Sequence, residues 1–280
     1  MNAENPSPGL DLNRLRRLRP VRVDLEHLVD RLRAHLTLND GYIAFSGGKD
    51  SLVALHLALR ADPAAPVVFF DSGFEFPETY RYLHDIQAHL NIDLDVIPAE
   101  RTTLELLRAS GHWDHHAPTA APIDIHTTLI TEPAAAAHAR HGDGEIWGLR
   151  SAESRGRQVL HAAALRAETD RNCCGCCRSP HDRRRRHGGV VRRADGTVAY
   201  SPIWDWPTEQ IWTYIAQHDL PINPVYAKLR ALGAPEHFLR VSHMIDAQRL
   251  SEGRITWFRR GWPELFEDVA AVIPRLREFV

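Results

Sequence analysis

Apolar residues change their spacing along the chain, and the changes predict alternating helices and strands. One set recurs at helical spacing near the start of the sequence: Leu25, Leu28, Val29, Leu32 and Leu36. Short apolar runs follow, each succeeded by helical sequence, at 41–45, 65–70, 92–99, 145–150 and 198–206. Most of these runs are apolar on both faces, which is typical of strands buried in a parallel sheet.

The alternation predicts an α/β fold. Helices would cover both faces of a mostly parallel central sheet of about five strands, giving three layers. We expect three regions: an N-terminal arm and helix (1–38), a central α/β domain (39–226), and a helical C-terminal segment packed on that domain (227–280).

Composition narrows the class of protein. The chain has 280 residues, of which 44% are hydrophobic, so it can bury a large core. Its net charge of -2 gives no global attraction to nucleic acid or anionic membrane. No stretch approaches the roughly 20 apolar residues that span a bilayer, and residues 1–20 do not resemble a secretory signal. We expect a soluble cytoplasmic protein with no membrane partner.

A Gly-rich turn follows the first predicted strand. It consists of Ser46, Gly47, Gly48, Lys49, Asp50 and Ser51 and leads into a helical sequence. Glycines allow a sharp turn, and the free N–H groups at a helix start bind anions. Lys49 adds a positive charge for phosphate, and Asp50 suits this position if it helps to hold Mg²⁺.

Four segments in order resemble one known family. They are "SGGKDS" (46–51), "FFDSGFEFPETY" (69–80), "GLRSAESRGR" (148–157) and "SPIWDWPTEQIWTYIAQHDLPINPVY" (201–226). Together they resemble the PAPS reductase-like family of PP-loop ATP pyrophosphatases, which have the adenine nucleotide alpha-hydrolase-like fold. The resemblance implies that the loop holds the phosphates of ATP or of a sulfonucleotide.

The resemblance and the residue chemistry together suggest a set of site residues. Nucleotide binding is expected from Ser46, Gly47, Gly48, Lys49, Asp50, Ser51, Asp71, Ser72, Gly73, Arg150 and Glu153. Catalytic roles are expected for Lys49, Asp50, Arg150 and Arg155. Arginine forks suit phosphate contacts, although surface ion pairs are the alternative. Asp71 ends the second predicted strand, where open α/β sheets bind ligands.

All four cysteines lie within five positions: Cys173, Cys174, Cys176 and Cys177. On a helix their side chains would fall within an arc of about 160°, so four thiols could face one centre. Relatives in the family use paired cysteines to hold a [4Fe–4S] cluster, but they bring ligands from two separated stretches. Zn²⁺, with help from His181 or His187, and a redox or persulfide-carrying pair remain alternatives.

The position of the last cysteine guides the expected reaction. Assimilatory sulfonucleotide reductases attack their substrate with a cysteine in the C-terminal tail, whereas the last cysteine here is Cys177. The chain therefore looks most like the sulfur-activating ATP pyrophosphatase of bacterial DNA phosphorothioation systems. That enzyme would convert ATP to AMP and pyrophosphate while adenylating an acceptor oxygen, and a cysteine desulfurase would supply sulfur.

An arginine-rich segment is relevant to which molecule supplies the acceptor oxygen. A local basic segment consists of Arg178 and Arg183–Arg186, with Arg192 and Arg193. We expect it to be a loop, either solvated or in contact with a DNA backbone. Three alternatives stay open: an assimilatory PAPS or APS reductase, a sulfurtransferase acting on tRNA or a metabolite, and a non-enzymatic nucleotide-binding module.

Overall fold

A central sheet organises the computed structural model, which describes residues 11–18, 23–110, 124–242 and 254–280. Within these residues the sheet has six strands in the order β3-β2-β1-β4-β6-β5. The strands are β1 (Tyr42–Ala44), β2 (Val67–Asp71), β3 (Leu94–Pro98), β4 (Gly144–Ile146), β5 (Val190–Arg192) and β6 (Val198–Tyr200). All neighbouring strands pair in parallel except β5, which runs antiparallel to β6 at the edge.

Helices connect most of the strands, and further helices precede β1 and follow β6 in the sequence. They are α1 (Leu12–Leu18), α2 (Leu25–Asn39), α3 (Lys49–Ala61), α4 (Pro77–Leu90), α5 (Thr103–Ser110), α6 (Glu132–His141), α7 (Arg155–Asn172), α8 (Pro180–His187), α9 (Thr208–Gln217), α10 (Pro224–Ala231), α11 (Arg254–Gly261) and α12 (Pro263–Val272). Shorter helical turns lie at Thr127–Thr131, Ser151–Glu153, Glu236–Phe238 and Pro274–Phe279. Within the described ranges, no helix combines the length and the apolar character needed to cross a membrane.

The predicted α/β fold with a mostly parallel sheet is confirmed. All five predicted strands are present, but the last is shorter than expected because the chain leaves the sheet at Ser201 and turns. Strand β5 was not predicted. It contributes only three residues at the sheet edge, immediately after an arginine-rich segment, so it produces no apolar run in the sequence.

Two apolar clusters lie on opposite faces of the sheet. The larger contains side chains from α3, α9, α11 and α12, including Leu55, Tyr214, Phe258 and Phe266, all fully or almost fully buried. The smaller contains Tyr42, Val68, Ile97 and Ala137, where α6 covers β1, β2 and β3. Helices therefore cover both faces, as buried parallel strands require.

The parallel strands bring three loops to one edge of the sheet. Strands β1, β2 and β4 are neighbours, with β1 in the middle. The loops that leave their carboxyl ends begin at Phe45, Ser72 and Trp147. Ligands of open α/β sheets bind in the crevice at this edge, so the fold gathers the predicted site residues around the end of β1.

Candidate nucleotide-binding site

The loop between β1 and α3 (46–51), which we call the phosphate loop, has the backbone geometry of an anion site. Gly47 has a φ of 72°, a left-handed conformation that favours glycine, and Gly48 is the N-cap of α3. The Ser46 and Ser51 hydroxyls lie 3.0 Å apart and close the loop across its base. The first N–H groups of a helix lack partners within the helix, so those of Asp50 and Ser51 at the start of α3 can bind an anion.

Two residues that the sequence analysis missed hold this loop. The backbone N–H of Lys49 donates to the Tyr226 hydroxyl at 3.0 Å, and the Asn223 amide donates to Thr79 Oγ1 at 3.0 Å. The Asn223 amide also lies 3.4 Å from the Gly47 carbonyl oxygen. Asn223 and Tyr226 are buried and flank the start of α10. Their segment belongs to the fourth motif, but only the fold brings it to the loop.

We expect Tyr226→Phe to weaken nucleotide binding by about fivefold and to lower the free energy of unfolding by about 1 kcal/mol, since one hydrogen bond to the loop is lost. Tyr82→Phe is the matched control, because Tyr82 is also buried and its hydroxyl donates to the Pro221 carbonyl oxygen at 3.0 Å. It should lose similar stability and keep its affinity. Urea unfolding and calorimetric titration measure the two quantities; equal affinities for the two variants would contradict the role of Tyr226.

Asp50 lies between two cations at the start of α3. Its carboxylate accepts from Lys49 Nζ at 2.6 Å and from Arg150 Nε at 2.6 Å. Arg150 is 3% exposed, and its Nη1 also donates to the Trp206 carbonyl oxygen at 3.0 Å. Two cations against one carboxylate leave a local excess of positive charge, which suits a phosphate group.

Glu153 contributes to the position of Arg150. Its Oε2 accepts from the Arg150 backbone N–H at 3.0 Å, and it also forms an ion pair with Arg157. Arg155, by contrast, is the exposed first residue of α7. The structure thus brings Lys49, Asp50, Arg150 and Glu153 together, whereas Arg155 takes no part in these contacts.

The turn after β2 is built by the predicted residues Asp71, Ser72 and Gly73. Asp71 Oδ1 accepts from the Gly73 N–H and from the Tyr80 hydroxyl, each at 2.8 Å. Gly73 has a φ of 66°, and a Cβ there would lie 2.4 Å from Thr102 Cγ2. These contacts give Asp71 a role in shaping the loop, and they place Ser72 beside the phosphate loop.

The cysteines lie in an irregular segment and not on a helix. Helix α7 ends at Asn172, and Gly175 adopts a φ of 85° that turns the chain back. The sulfur atoms of Cys173, Cys176 and Cys177 lie within 4.8 Å of one another. Cys174 is exposed and lies outside this group of three, although its thiol is within hydrogen-bonding distance of Cys176. Three thiols converge, where four were expected.

The converging thiols differ in acidity. Hydrogen bonds from the Cys177 N–H, the Cys177 thiol and the Gly175 N–H lower the pKa of Cys173 to about 6. The neighbouring sulfur of Cys173 raises the pKa of Cys177, and Cys174 is the main cause of a raised pKa at Cys176. Near neutral pH the group therefore combines one thiolate with protonated neighbours, a combination typical of reactive thiols.

The same three thiols fit a single metal ion. Thiolates around one tetrahedral Zn²⁺ ion bind at about 2.3 Å and so lie close together. In a [4Fe–4S] cluster each thiolate binds a different iron atom, so the sulfur atoms stand farther apart than around one ion. The spacing of Cys173, Cys176 and Cys177 therefore suits one metal ion. To bind a [4Fe–4S] cluster, the three thiols would have to move apart.

The length of helix α7 separates the cysteines from the phosphate loop. Helix α7 has 18 residues between Ser154, which caps it, and Cys173, so it is about 27 Å long at 1.5 Å per residue. Ser154 is next to the residues that hold Arg150, whereas Cys173 follows the opposite end of the helix. The sheet edge and the thiols are two separate groups in this conformation.

The arginine-rich segment forms helix α8, so the expectation of a loop was wrong. The Ser179 hydroxyl caps the helix, and Pro180 occupies its first turn, where proline is favoured. Three arginines are engaged by the protein: Arg184 lies over the Trp204 ring, Arg185 pairs with Asp24 at 2.8 Å, and Arg186 donates to Cys176 Sγ at 3.4 Å. These contacts hold α8 against the rest of the protein.

A mostly parallel sheet with a phosphate loop after its central strand defines a nucleotide-binding α/β protein. Residues 41–238 match the phosphoadenosine phosphosulfate reductase domain, and the chain belongs to this family. The match includes β1 to β6, the phosphate loop, the cysteines and the Asn223–Tyr226 segment. The predicted family is confirmed, and with it a class of enzymes that act on nucleotides.

Individual relatives carry a consistent name. Phosphoadenosine 5'-phosphosulfate reductase of Proteus mirabilis (strain HI4320) is 28% identical over 67% of this chain and 66% of its own length. The same enzyme of Xylella fastidiosa (strain M12) is 29% identical over 66% of both chains. The chain thus spans just under two thirds of these relatives. A solved phosphoadenylyl-sulfate reductase of Candida auris, in a phosphate complex, has 18% identity and a TM-score of 0.49, covering 76% of this chain and 88% of that one.

These relatives correct the expected function. The position of the last cysteine, well before the C-terminal region, predicted an enzyme of DNA phosphorothioation. The curated relatives are named phosphoadenosine 5'-phosphosulfate reductase instead. The main expectation was therefore wrong, and the alternative of an assimilatory PAPS or APS reductase is favoured. The absence of a tail cysteine was too indirect a signal to decide between the two reactions.

Proposed function

We propose that this protein is a sulfonucleotide reductase that binds 3'-phosphoadenosine 5'-phosphosulfate or adenosine 5'-phosphosulfate and releases sulfite. The observation that carries the proposal is the family match over 41–238, because it includes every part of the described site. The names of the relatives support the sulfonucleotide as the substrate class.

The phosphate loop would bind the nucleotide's phosphates. The N–H groups at the start of α3 supply hydrogen bonds, and the excess positive charge of Lys49 and Arg150 over Asp50 supplies attraction. Arg155, exposed on the first turn of α7, adds a cation for a phosphate that extends beyond the loop. Ser72 and Gly73 border the same crevice from β2.

The clustered thiols would supply the electrons. The Cys173 thiolate attacks the sulfur of the sulfonucleotide, an S–S bond forms, and the S–O bond to phosphate breaks, which releases the nucleotide and leaves an S-sulfonated cysteine. The Cys177 thiol, once deprotonated, then attacks the Cys173 sulfur, sulfite leaves, and a disulfide forms. A dithiol reductant of the thioredoxin class restores both thiols, so two electrons reduce one sulfonate sulfur to sulfite.

The length of α7 adds a requirement to the reaction. Because about 27 Å of helix lies between Ser154 and Cys173, the segment 173–178 has to approach the phosphate loop after the nucleotide binds. This segment contains no regular secondary structure, and Gly175 provides a flexible backbone position within it. Bound nucleotide should therefore change the alkylation rate of Cys173.

The test is incubation of the purified protein with each sulfonucleotide and a thioredoxin-class dithiol. We expect sulfite and the desulfated nucleotide in equal amounts. Nucleotide that binds but remains intact would contradict the proposal.

ATP pyrophosphatase activity is the second candidate, and the "SGGKDS" loop with Lys49 at the start of α3 is the observation that favours it. ATP with Mg²⁺ would then yield AMP and pyrophosphate, with the loop N–H groups and Lys49 stabilising the leaving pyrophosphate. A pyrophosphate-release assay on the same sample separates the two reactions.

Metal binding is the competing use of the thiols. Iron, sulfide and zinc analysis after anaerobic purification tests it, together with thiol titration. One zinc ion per chain would indicate that Cys173, Cys176 and Cys177 are ligands. Four titratable thiols without metal would favour the redox role.

A further inference from the structure

A pocket lies directly beside the phosphate loop, at the carboxyl ends of β1 and β2. Its volume is about 110 Å³, and it is lined on the sheet side by Phe45, Val68 and Phe70 and on the opposite side by Leu129 and Ile130. Ser46 belongs both to this lining and to the phosphate loop. A nucleotide with its phosphates at the loop can therefore place its base in this apolar space, and the inference below rests on the proposed nucleotide site.

Glu75 is the ionisable side chain in the described lining of this pocket. Its Oε1 accepts a hydrogen bond from the Ser72 hydroxyl at 2.8 Å. Its Oε2 is buried and has no hydrogen-bond partner among the residues that the structure describes. A buried polar atom without a partner is costly, so a group on a ligand that hydrogen-bonds with Oε2 would be strongly favoured.

The surroundings of Glu75 favour its neutral form. Burial raises the pKa of Glu75 to about 7, the Ser72 hydrogen bond opposes this increase, and the charge of Asp71 adds to it. Tyr80 on α4 faces Asp71, and the other lining residues, including Leu129, Ile130 and Ser242, carry no charge. Below pH 7 the carboxyl group therefore carries a proton and offers one donor and one acceptor.

We propose that Glu75 is a specificity residue that recognises the base edge of an adenine nucleotide as a neutral carboxylic acid. The Oε2 hydroxyl donates to a ring nitrogen, and the carboxyl group's acceptor oxygen receives the neighbouring exocyclic amino group. Adenine presents this acceptor and donor side by side, and the apolar walls of the pocket pack against its two faces. An ionised Glu75 would instead repel the ring nitrogen's lone pair.

The test measures the affinity for adenosine 3',5'-bisphosphate at pH 6 and pH 8 by calorimetry, in the wild type, Glu75→Gln and Glu75→Ala. If only the protonated form of a group with a pKa of about 7 binds, the wild-type affinity falls about tenfold between the two pH values. Glu75→Gln imitates the neutral acid and should lack this additional tenfold fall. Glu75→Ala should bind about tenfold more weakly than Glu75→Gln at both pH values.

Inorganic pyrophosphate serves as the probe without a base, and its affinity should be equal in all three proteins. Thermal unfolding verifies that each variant is folded, and the near-isosteric Glu75→Gln keeps the test meaningful if Glu75→Ala is unstable. The proposal is overturned if Glu75→Gln shows the wild-type pH dependence, if Glu75→Ala binds as tightly as Glu75→Gln, or if no adenine nucleotide binds. Repeating the series with ATP separates the role of Glu75 from the proposed reductase function. If the Glu75 variants show the same pattern with ATP and the protein forms no sulfite, the reductase function is refuted and the role of Glu75 is retained.

Discussion

Arg150→Ala should lower the free energy of unfolding by about 3 kcal/mol and weaken nucleotide binding by at least about tenfold. The guanidinium is 3% exposed, and its removal leaves the Trp206 carbonyl oxygen without this donor and Asp50 without one of its two cations. Breaking a buried ion pair exposes the remaining partner's desolvation cost. Affinity falls because the positive excess near the phosphate loop is lost.

Arg155→Ala provides the matched control for stability. Arg155 is exposed on the first turn of α7, so its removal should change the free energy of unfolding by less than about 0.5 kcal/mol. Urea unfolding measures the difference between the two variants, and calorimetry with adenosine 3',5'-bisphosphate measures affinity. If Arg150→Ala unfolds at the same urea concentration as Arg155→Ala, the buried contact between Arg150 and Asp50 does not stabilise the protein.

Cys173→Ser should reduce sulfite formation at least about a thousand-fold while leaving nucleotide affinity unchanged, because a nucleophile is removed and the phosphate loop is not. Cys174→Ser is the control, since Cys174 lies outside the converging thiols. Cys174→Ser should retain sulfite formation. If Cys173→Ser and Cys174→Ser lose sulfite formation equally, Cys173 is not the specific nucleophile.

The pH dependence of alkylation tests the same residue without turnover. The lowered pKa of Cys173, about 6, means that the reactive thiolate forms as the pH rises through 6. Its alkylation rate should therefore increase up to about pH 7 and then level off. Cys177, whose pKa is raised, should still react faster at pH 9 than at pH 8. Peptide mass spectrometry follows each cysteine separately; parallel profiles would contradict the difference in acidity.

The sequence predicted the parts of the fold that depend on local pattern. Buried strands produce apolar runs, and the Gly-rich turn between Phe45 and Lys49 is visible because only glycine adopts its backbone readily. The order of these features was enough to predict the parallel sheet and to place Lys49, Asp50 and Arg150 at one edge.

Other features depend on contacts between distant segments and leave no local signal. Tyr226 is 177 positions from Lys49, whose N–H it accepts, and nothing in "PINPVY" specifies that contact. The arrangement of the cysteines was mispredicted for a different reason. A helical projection assumes regular geometry, but the left-handed backbone of Gly175 breaks it, and Cys174 is not one of the three thiols that converge.

The reaction was the least predictable property. A phosphate loop and a thiol group are compatible with both ATP cleavage and sulfonucleotide reduction, since the same backbone N–H groups bind phosphates in either case. The names of the curated relatives favour sulfonucleotide reduction, which residue chemistry alone did not indicate.

The central claim is that the clustered thiols reduce a sulfonucleotide, and trapping the intermediate tests it most directly. Cys177→Ser removes the thiol that would release sulfite from Cys173, so incubation with 3'-phosphoadenosine 5'-phosphosulfate or adenosine 5'-phosphosulfate, without added dithiol, should allow the intermediate to accumulate. We expect peptide mass spectrometry to detect one sulfonate group on Cys173, together with one equivalent of desulfated nucleotide. Intact nucleotide and an unmodified Cys173 in a protein that binds the sulfonucleotide would contradict the account.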